Sequence, residues 1–249
     1  MRKIPFSLAL ALALTGAAAR ADLMIEIQHH QDPSQIMRQK VAAVDEVVQQ
    51  WIGKDRTARL GGATGTIVRL DQKKVYIIDH AKKTFFSLDL PLDLSAAMAP
   101  EMKEAMKAMQ SMFKFDVSVK PTSETKSVAG FASKLYEVVI NGPMGLKIEQ
   151  KLWTTRELEP KMDVAAYKEL FNTQMAMLGP MGGDWWKKLS VIEGYPVLTE
   201  IKTTMMGSTV AARDEVTSAT EKAAPAGTYD PPAGYTEKPF DPMGASQKR

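Results

Sequence analysis

The chain has 249 residues, 45% of them hydrophobic and 24% charged, with no cysteine and a formal net charge of +3. That composition excludes a collagen, a disulfide-stapled miniprotein and a long disordered polymer, and supplies enough apolar residues for one large domain or two small ones. The sequence pI of about 8.9 points to a nucleic-acid partner only if the excess charge lies on the folded part.

Met1-Arg2-Lys3 opens the chain, followed by an apolar run from Ile4 to Leu14 and small residues ending in Ala19-Arg20-Ala21. A basic start, a short apolar stretch and a small-x-small end read as a secretory signal peptide over residues 1–21, with cleavage expected before Asp22. The run is shorter than the roughly 20 residues that span a bilayer, so no transmembrane anchor is expected. With no cysteine after the leader, a bacterial lipid-anchoring signal is excluded. The leader holds Arg2, Lys3 and Arg20 and no acid, so the remainder carries equal numbers of basic and acidic residues. The basic pI therefore belongs to the leader, and no nucleic-acid partner is expected. The mature chain is expected to be soluble in the periplasm and to fold without disulfides.

From residue 23 to about 90 the pattern has period two. Leu23, Ile25 and Ile27 alternate with Met24, Glu26 and Gln28. Val47 to Ile52 and Arg56 to Leu60 flank Gly53-Lys54-Asp55 as a hairpin. Gly61-Gly62-Ala63-Thr64-Gly65 leads into Thr66 to Leu70, Asp71-Gln72-Lys73 into Lys74 to Ile78, and Asp79 to Lys83 into Thr84 to Leu88. Later runs continue the series: Phe113 to Val119, Lys134 to Ile140, Gly145 to Thr154, Tyr195 to Thr203 and Ser208 to Ser218. About ten such strands in one antiparallel sheet would curl. The expected fold is mainly β, a strongly curved antiparallel sheet or half-barrel with two helices packed on its concave side.

The first helix is expected over Pro100 to Met112, with acids early and lysines late, as the helix dipole prefers. Met98, Met102, Met106, Met109 and Met112 share a stripe about 120° wide. The second, about Val164 to Leu178, repeats apolar residues at Val164, Tyr167, Leu170, Phe171, Met175 and Leu178. Gly179-Pro180-Met181-Gly182-Gly183 ends it, and Asp184 is placed to cap a short turn bearing Trp185 and Trp186. No linker or repeat divides the chain. Residues 22–236 read as one domain, and residues 237–249 as a polar, disordered tail.

The methionine stripe fits core packing, contact with an apolar ligand, or thioether ligation of Cu(I). The ligand-lining candidates are Met102, Met106, Met109, Met112, Phe171, Met175, Trp185 and Trp186. His29 and His30 are strand neighbours that point to opposite faces and cannot chelate one ion. His80 falls in a hairpin turn. No Gly-x-Ser-x-Gly, His-Glu-x-x-His or Walker-type loop is present, so neither catalytic residue, cofactor nor enzyme activity is expected.

One set of short motifs occurs in a recognisable order. It begins with Thr66 to Asp71, Lys74 to Asp79 and Lys83 to Leu88. It continues with Val128-Ala129-Gly130-Phe131, Lys151-Leu152-Trp153-Thr154, Gly194-Tyr195-Pro196-Val197 and Pro232-Ala233-Gly234-Tyr235. This order resembles a bacterial envelope family, the domain-of-unknown-function family 4412. The layout is also similar to the half-barrel of periplasmic lipoprotein-localisation carriers, whose helices close over an apolar concavity. That likeness implies a carrier of a lipid, acyl chain or lipoprotein. The alternative is a structural or interaction protein of the envelope with a self-filled core and a protein partner.

Overall fold

The alternation at Leu23, Ile25 and Ile27 builds a central strand in the computed structural model, which describes residues 21–36, 39–90, 115–177 and 183–240. The strands are β1 (Asp22–Gln31), β2 (Ser34–Ile36), β3 (Gln39–Val41), β4 (Val44–Gly53), β5 (Arg56–Leu60), β6 (Thr64–Arg69), β7 (Lys74–Asp79) and β8 (Thr84–Asp89). Then come β9 (Asp116–Val128), β10 (Phe131–Asn141), β11 (Lys147–Thr155), β12 (Tyr195–Met205), β13 (Ser208–Lys222) and β14 (Thr236–Glu237). One helix, α1 (Val164–Met177), lies between β11 and β12.

Twelve strands form one sheet in the order β14-β8-β7-β6-β5-β4-β1-β13-β12-β11-β10-β9, and β2 and β3 pair separately. Neighbours run antiparallel except β14, which joins β8 in parallel. With β9 and β14 at its edges, the sheet is open and not closed into a barrel. Two antiparallel meanders meet where β1 pairs with β4 on one side and β13 on the other. Register shifts at Glu26/Ile27, Lys134/Tyr136 and Trp153/Thr154 mark bulges, which bend strands and increase their twist.

Tight turns close the hairpins. Asp55 in the two-residue loop after β4, and Lys73 and Lys83 at the ends of the four-residue loops after β6 and β7, take left-handed φ near 55°, 52° and 52°. Strand β9 extends to Val128, well past the expected end at Val119. Its Pro121 and polar tail read poorly as a strand, but an edge strand tolerates a residue without an N–H.

Each face of the sheet has its own cover. On the face of Leu23, Ile25 and Ile27, a cluster with Val48, Ile52 and Val216 continues through Leu158 and Met162 in the connection to α1. There α1 lies over β4, β5 and β6. Leu170, 2% exposed, packs on Val68 and Val75. Asp163 caps the helix, its Oδ1 accepting from the backbone N–H of Ala165 and Ala166, both at 3.0 Å. Its Oδ2 accepts from the N–H of Asp55 at 3.3 Å, which fastens the helix start to the β4–β5 turn. On the other face, Met24, Trp51, Ala58, Ile67 and Ile78 are covered by Tyr229 and Tyr235 of the C-terminal segment.

Two expectations change. Among the described residues there is one α-helix and not two, because the expected helix over Pro100 to Met112 lies outside them. Within α1 the expected stripe holds at Tyr167, Leu170 and Phe171, which face the sheet, whereas Val164 is 36% exposed and Ala166 is buried. The turn expected after Asp184 is a nine-residue 3-10 helix, Gly183–Val191. No described helix is long and apolar enough to cross a membrane.

Candidate functional site

Between α1 and the sheet lies a cavity of about 250 Å³. Strand registers bring its walls together. His29 on β1 pairs with Asp214 on β13, Asp214 with Thr199 on β12, and Gln50 on β4 with Arg59 on β5. Ile27 and Val216 add apolar wall from the sheet, and Tyr167, Leu170 and Phe171 close the cavity from α1.

The polar wall has two parts. Asp214 is shared: its Oδ1 lies 2.5 Å from His29 Nδ1, and its Oδ2 accepts from Arg59 Nη2 at a long 3.5 Å. Deeper in, the Tyr195 hydroxyl donates to Gln50 Oε1 at 3.1 Å. Gln50 is 4% exposed, and its Nε2 has no partner among the described residues. A buried donor without an acceptor is uncommon in native proteins. Burial pushes the Tyr195 and Tyr167 phenols well above their ordinary value, so both stay neutral donors. Gly194 delivers Tyr195 to this place. Its φ is +84°, and a Cβ there would come within 2.5 Å of the Thr155 carbonyl oxygen.

The opposite face carries a broader, more open groove of about 660 Å³. Cross-strand register sets a row of charges along it: Lys120, Glu137, Lys151, Glu200, Arg213, His30 and Asp45 on seven adjacent strands. Signs alternate from Lys120 to Arg213, and His30 follows Arg213 as a second basic residue before Asp45. Ion pairs join Lys120 to Glu137 at 3.5 Å and His30 to Asp45 at 2.7 Å. His30 also reaches Asp32 at 3.1 Å. Hydrogen bonds to Asp45 first, then Asp32, raise the His30 pKa.

Of the expected lining residues, Phe171 reaches the cavity. Met102, Met106, Met109 and Met112 lie outside the described residues, as do the side chains of Met175, Trp185 and Trp186. The histidine pair divides between the two faces as strand alternation requires. His80 hydrogen-bonds through Nδ1 to the Tyr235 hydroxyl at 3.0 Å, which holds the C-terminal segment. Among the described residues no group of His, Asp or Glu could hold a metal ion.

Sequence reasoning missed Gln50, Arg59, Tyr195 and Asp214. One signal for Gln50 was available. It stands between Val48 and Ile52 at the inward parity of β4, a polar residue where the pattern calls for an apolar one. The partner of His29 was not visible, because Asp214 lies 185 positions away.

A family model described as a domain of unknown function, DUF4412, matches residues 52–235. No curated protein matches the sequence. A solved structure titled "Structure of PNGF-II in C2 space group" aligns at a TM-score of 0.40 and 12% identity, over 89% of this chain and 32% of that one. The chain thus spans about a third of that protein's length.

Proposed function

Because the chain belongs to the DUF4412 family, a domain of unknown function, we propose a role from its own geometry: a non-enzymatic periplasmic module that holds an apolar ligand beneath α1. The observation that carries this reading is the cavity between helix and sheet. Ile27, Leu170, Phe171 and Val216 give it apolar surface, and Gln50 and Arg59 give it a polar end. Binding sites commonly combine such apolar walls with a few placed polar groups. The candidate ligands are a lipid, an acyl chain or a lipoprotein-borne acyl group, with its end seated under the helix. The export leader over residues 1–21 supports the periplasmic assignment, and the expected cleavage point falls where β1 begins. Residues 22–236 act in this reading as one domain.

Native mass spectrometry of the protein purified from its own envelope tests the reading, together with titration of an environment-sensitive hydrophobic probe. A lipid-mass adduct or saturable probe binding is expected. Absence of both overturns it.

A second reading is favoured by the charged row on the opposite face. Its closely spaced charges of both signs and open groove suit docking of an envelope protein of complementary pattern. Crosslinking in cells that captures one stoichiometric partner, with no ligand adduct on the purified protein, would select it.

A further inference from the structure

We propose that the cavity beneath α1 recognises a free aliphatic carboxylate, a fatty-acid end rather than an ester or an alcohol. The inference rests on reading the chain as a ligand-binding module and goes further by naming the group that binds.

Three observations converge on this chemistry. The unsatisfied groups in the cavity are donors. Tyr195 occupies Gln50 Oε1 and leaves the Gln50 Nε2 hydrogens without an acceptor. Arg59, 28% exposed at the cavity wall, meets Asp214 only at 3.5 Å and so is free to turn its guanidinium to a ligand. On the acceptor side, His29 holds the first oxygen of Asp214 at 2.5 Å, and the second has only the long Arg59 contact. The buried Gln50 Nε2 calls for an incoming acceptor, and the Arg59 guanidinium beside it favours a negatively charged one.

Placement then selects a carboxylate among acceptors. Gln50 and Arg59 are direct register partners on β4 and β5. Side chains so paired stand about 5 Å apart at Cβ, on one face of the sheet. They can take one oxygen each of a planar two-oxygen group, and hydrogen bonds to an ionised acceptor are the stronger kind. An ester or alcohol offers the pair no second charged oxygen. His29 keeps Asp214 paired while Arg59 turns to the ligand.

Size limits what enters. At about 30 Å³ for each water-sized group, a cavity of about 250 Å³ holds about eight such groups. That matches a six-carbon acid, or the head of a longer chain whose tail runs out along Leu170 and Phe171.

The test titrates the purified protein with hexanoate, methyl hexanoate and 1-hexanol at constant ionic strength, read by amide chemical shifts. Hexanoate is expected to saturate and to bind at least tenfold more tightly than the other two. Gln50→Leu and, separately, Arg59→Met are each expected to erase that preference by weakening hexanoate far more than 1-hexanol. Unaltered far-UV circular dichroism shows that a variant has folded. The partly exposed Arg59 site serves if Gln50→Leu does not fold. Equal binding of all three probes, or a preference that survives both variants, overturns the carboxylate inference and leaves the ligand-binding reading standing. If no probe binds, and no hydrophobic dye saturates, both fall together.

Discussion

Tyr229 donates its hydroxyl to the Asp22 carboxylate at 3.0 Å, joining the C-terminal segment to the first residue of β1 across 207 positions of chain. Asp22 is 7% exposed, and its other charged partner is the Arg56 guanidinium at 3.7 Å. Arg56 also stacks over the Tyr229 ring at 4.5 Å. Removing the hydroxyl leaves a buried carboxylate short of one donor. Tyr229→Phe should therefore cost about 1–3 kcal/mol, read as a lower urea midpoint with unchanged slope. Asp22→Asn combined with Tyr229→Phe should cost less than the two single changes added together. Strict additivity would show that the bond contributes nothing.

The cap at Asp163 makes a local prediction. Asp163→Ala removes the one oxygen that accepts from both Ala165 and Ala166, together with the tie to Asp55, and should cost about 1 kcal/mol. Hydrogen exchange should quicken first at Ala165 and Ala166, ahead of the strand amides. Asp163→Asn, which can still cap, should recover most of the protection.

Leu170 anchors α1 to the sheet through Val68 and Val75. Leu170→Ala should cost about 2–5 kcal/mol if the helix is a fixed part of the core. A loss below about 1 kcal/mol would mark α1 as a weakly held cover, since the site then collapses or opens at little expense.

His30 gives a pH prediction whose sign follows from its partners. Its pKa is raised above the ordinary 6.5 by Asp45 and Asp32. A raised histidine pKa means the protonated pair stabilises the fold fully below about pH 6.5, and this contribution fades as pH rises through the folded value. Imidazole resonances of His30 should titrate with a midpoint above 6.5. Asp45→Asn should lower that midpoint, and His30→Gln should flatten the stability profile between pH 6 and 8. A midpoint unmoved by Asp45→Asn would remove the pair from the account.

The site was only partly legible in the sequence. Phe171 was found because helix periodicity places it beside Tyr167 and Leu170. His29 was noticed, but its residue type says nothing about a partner on β13. Gln50 and Arg59 were passed over because each looks like an ordinary polar residue in a strand. Their meaning comes from lying opposite each other on adjacent strands, on the face that α1 covers.

What the sequence determined by itself was the local layer: period-two strands, the hairpin turns between them, the helix from Val164 and the apolar parity of β1. These follow from nearest-neighbour sterics and alternation, which a single strand carries in its own residues. The tertiary structure alone decided that β1 would lie between β4 and β13, so that His29 meets Asp214. It also decided that Tyr229 would close over Asp22. Such pairings join residues far apart in the chain, and only the register of the whole sheet selects among the many that local pattern allows.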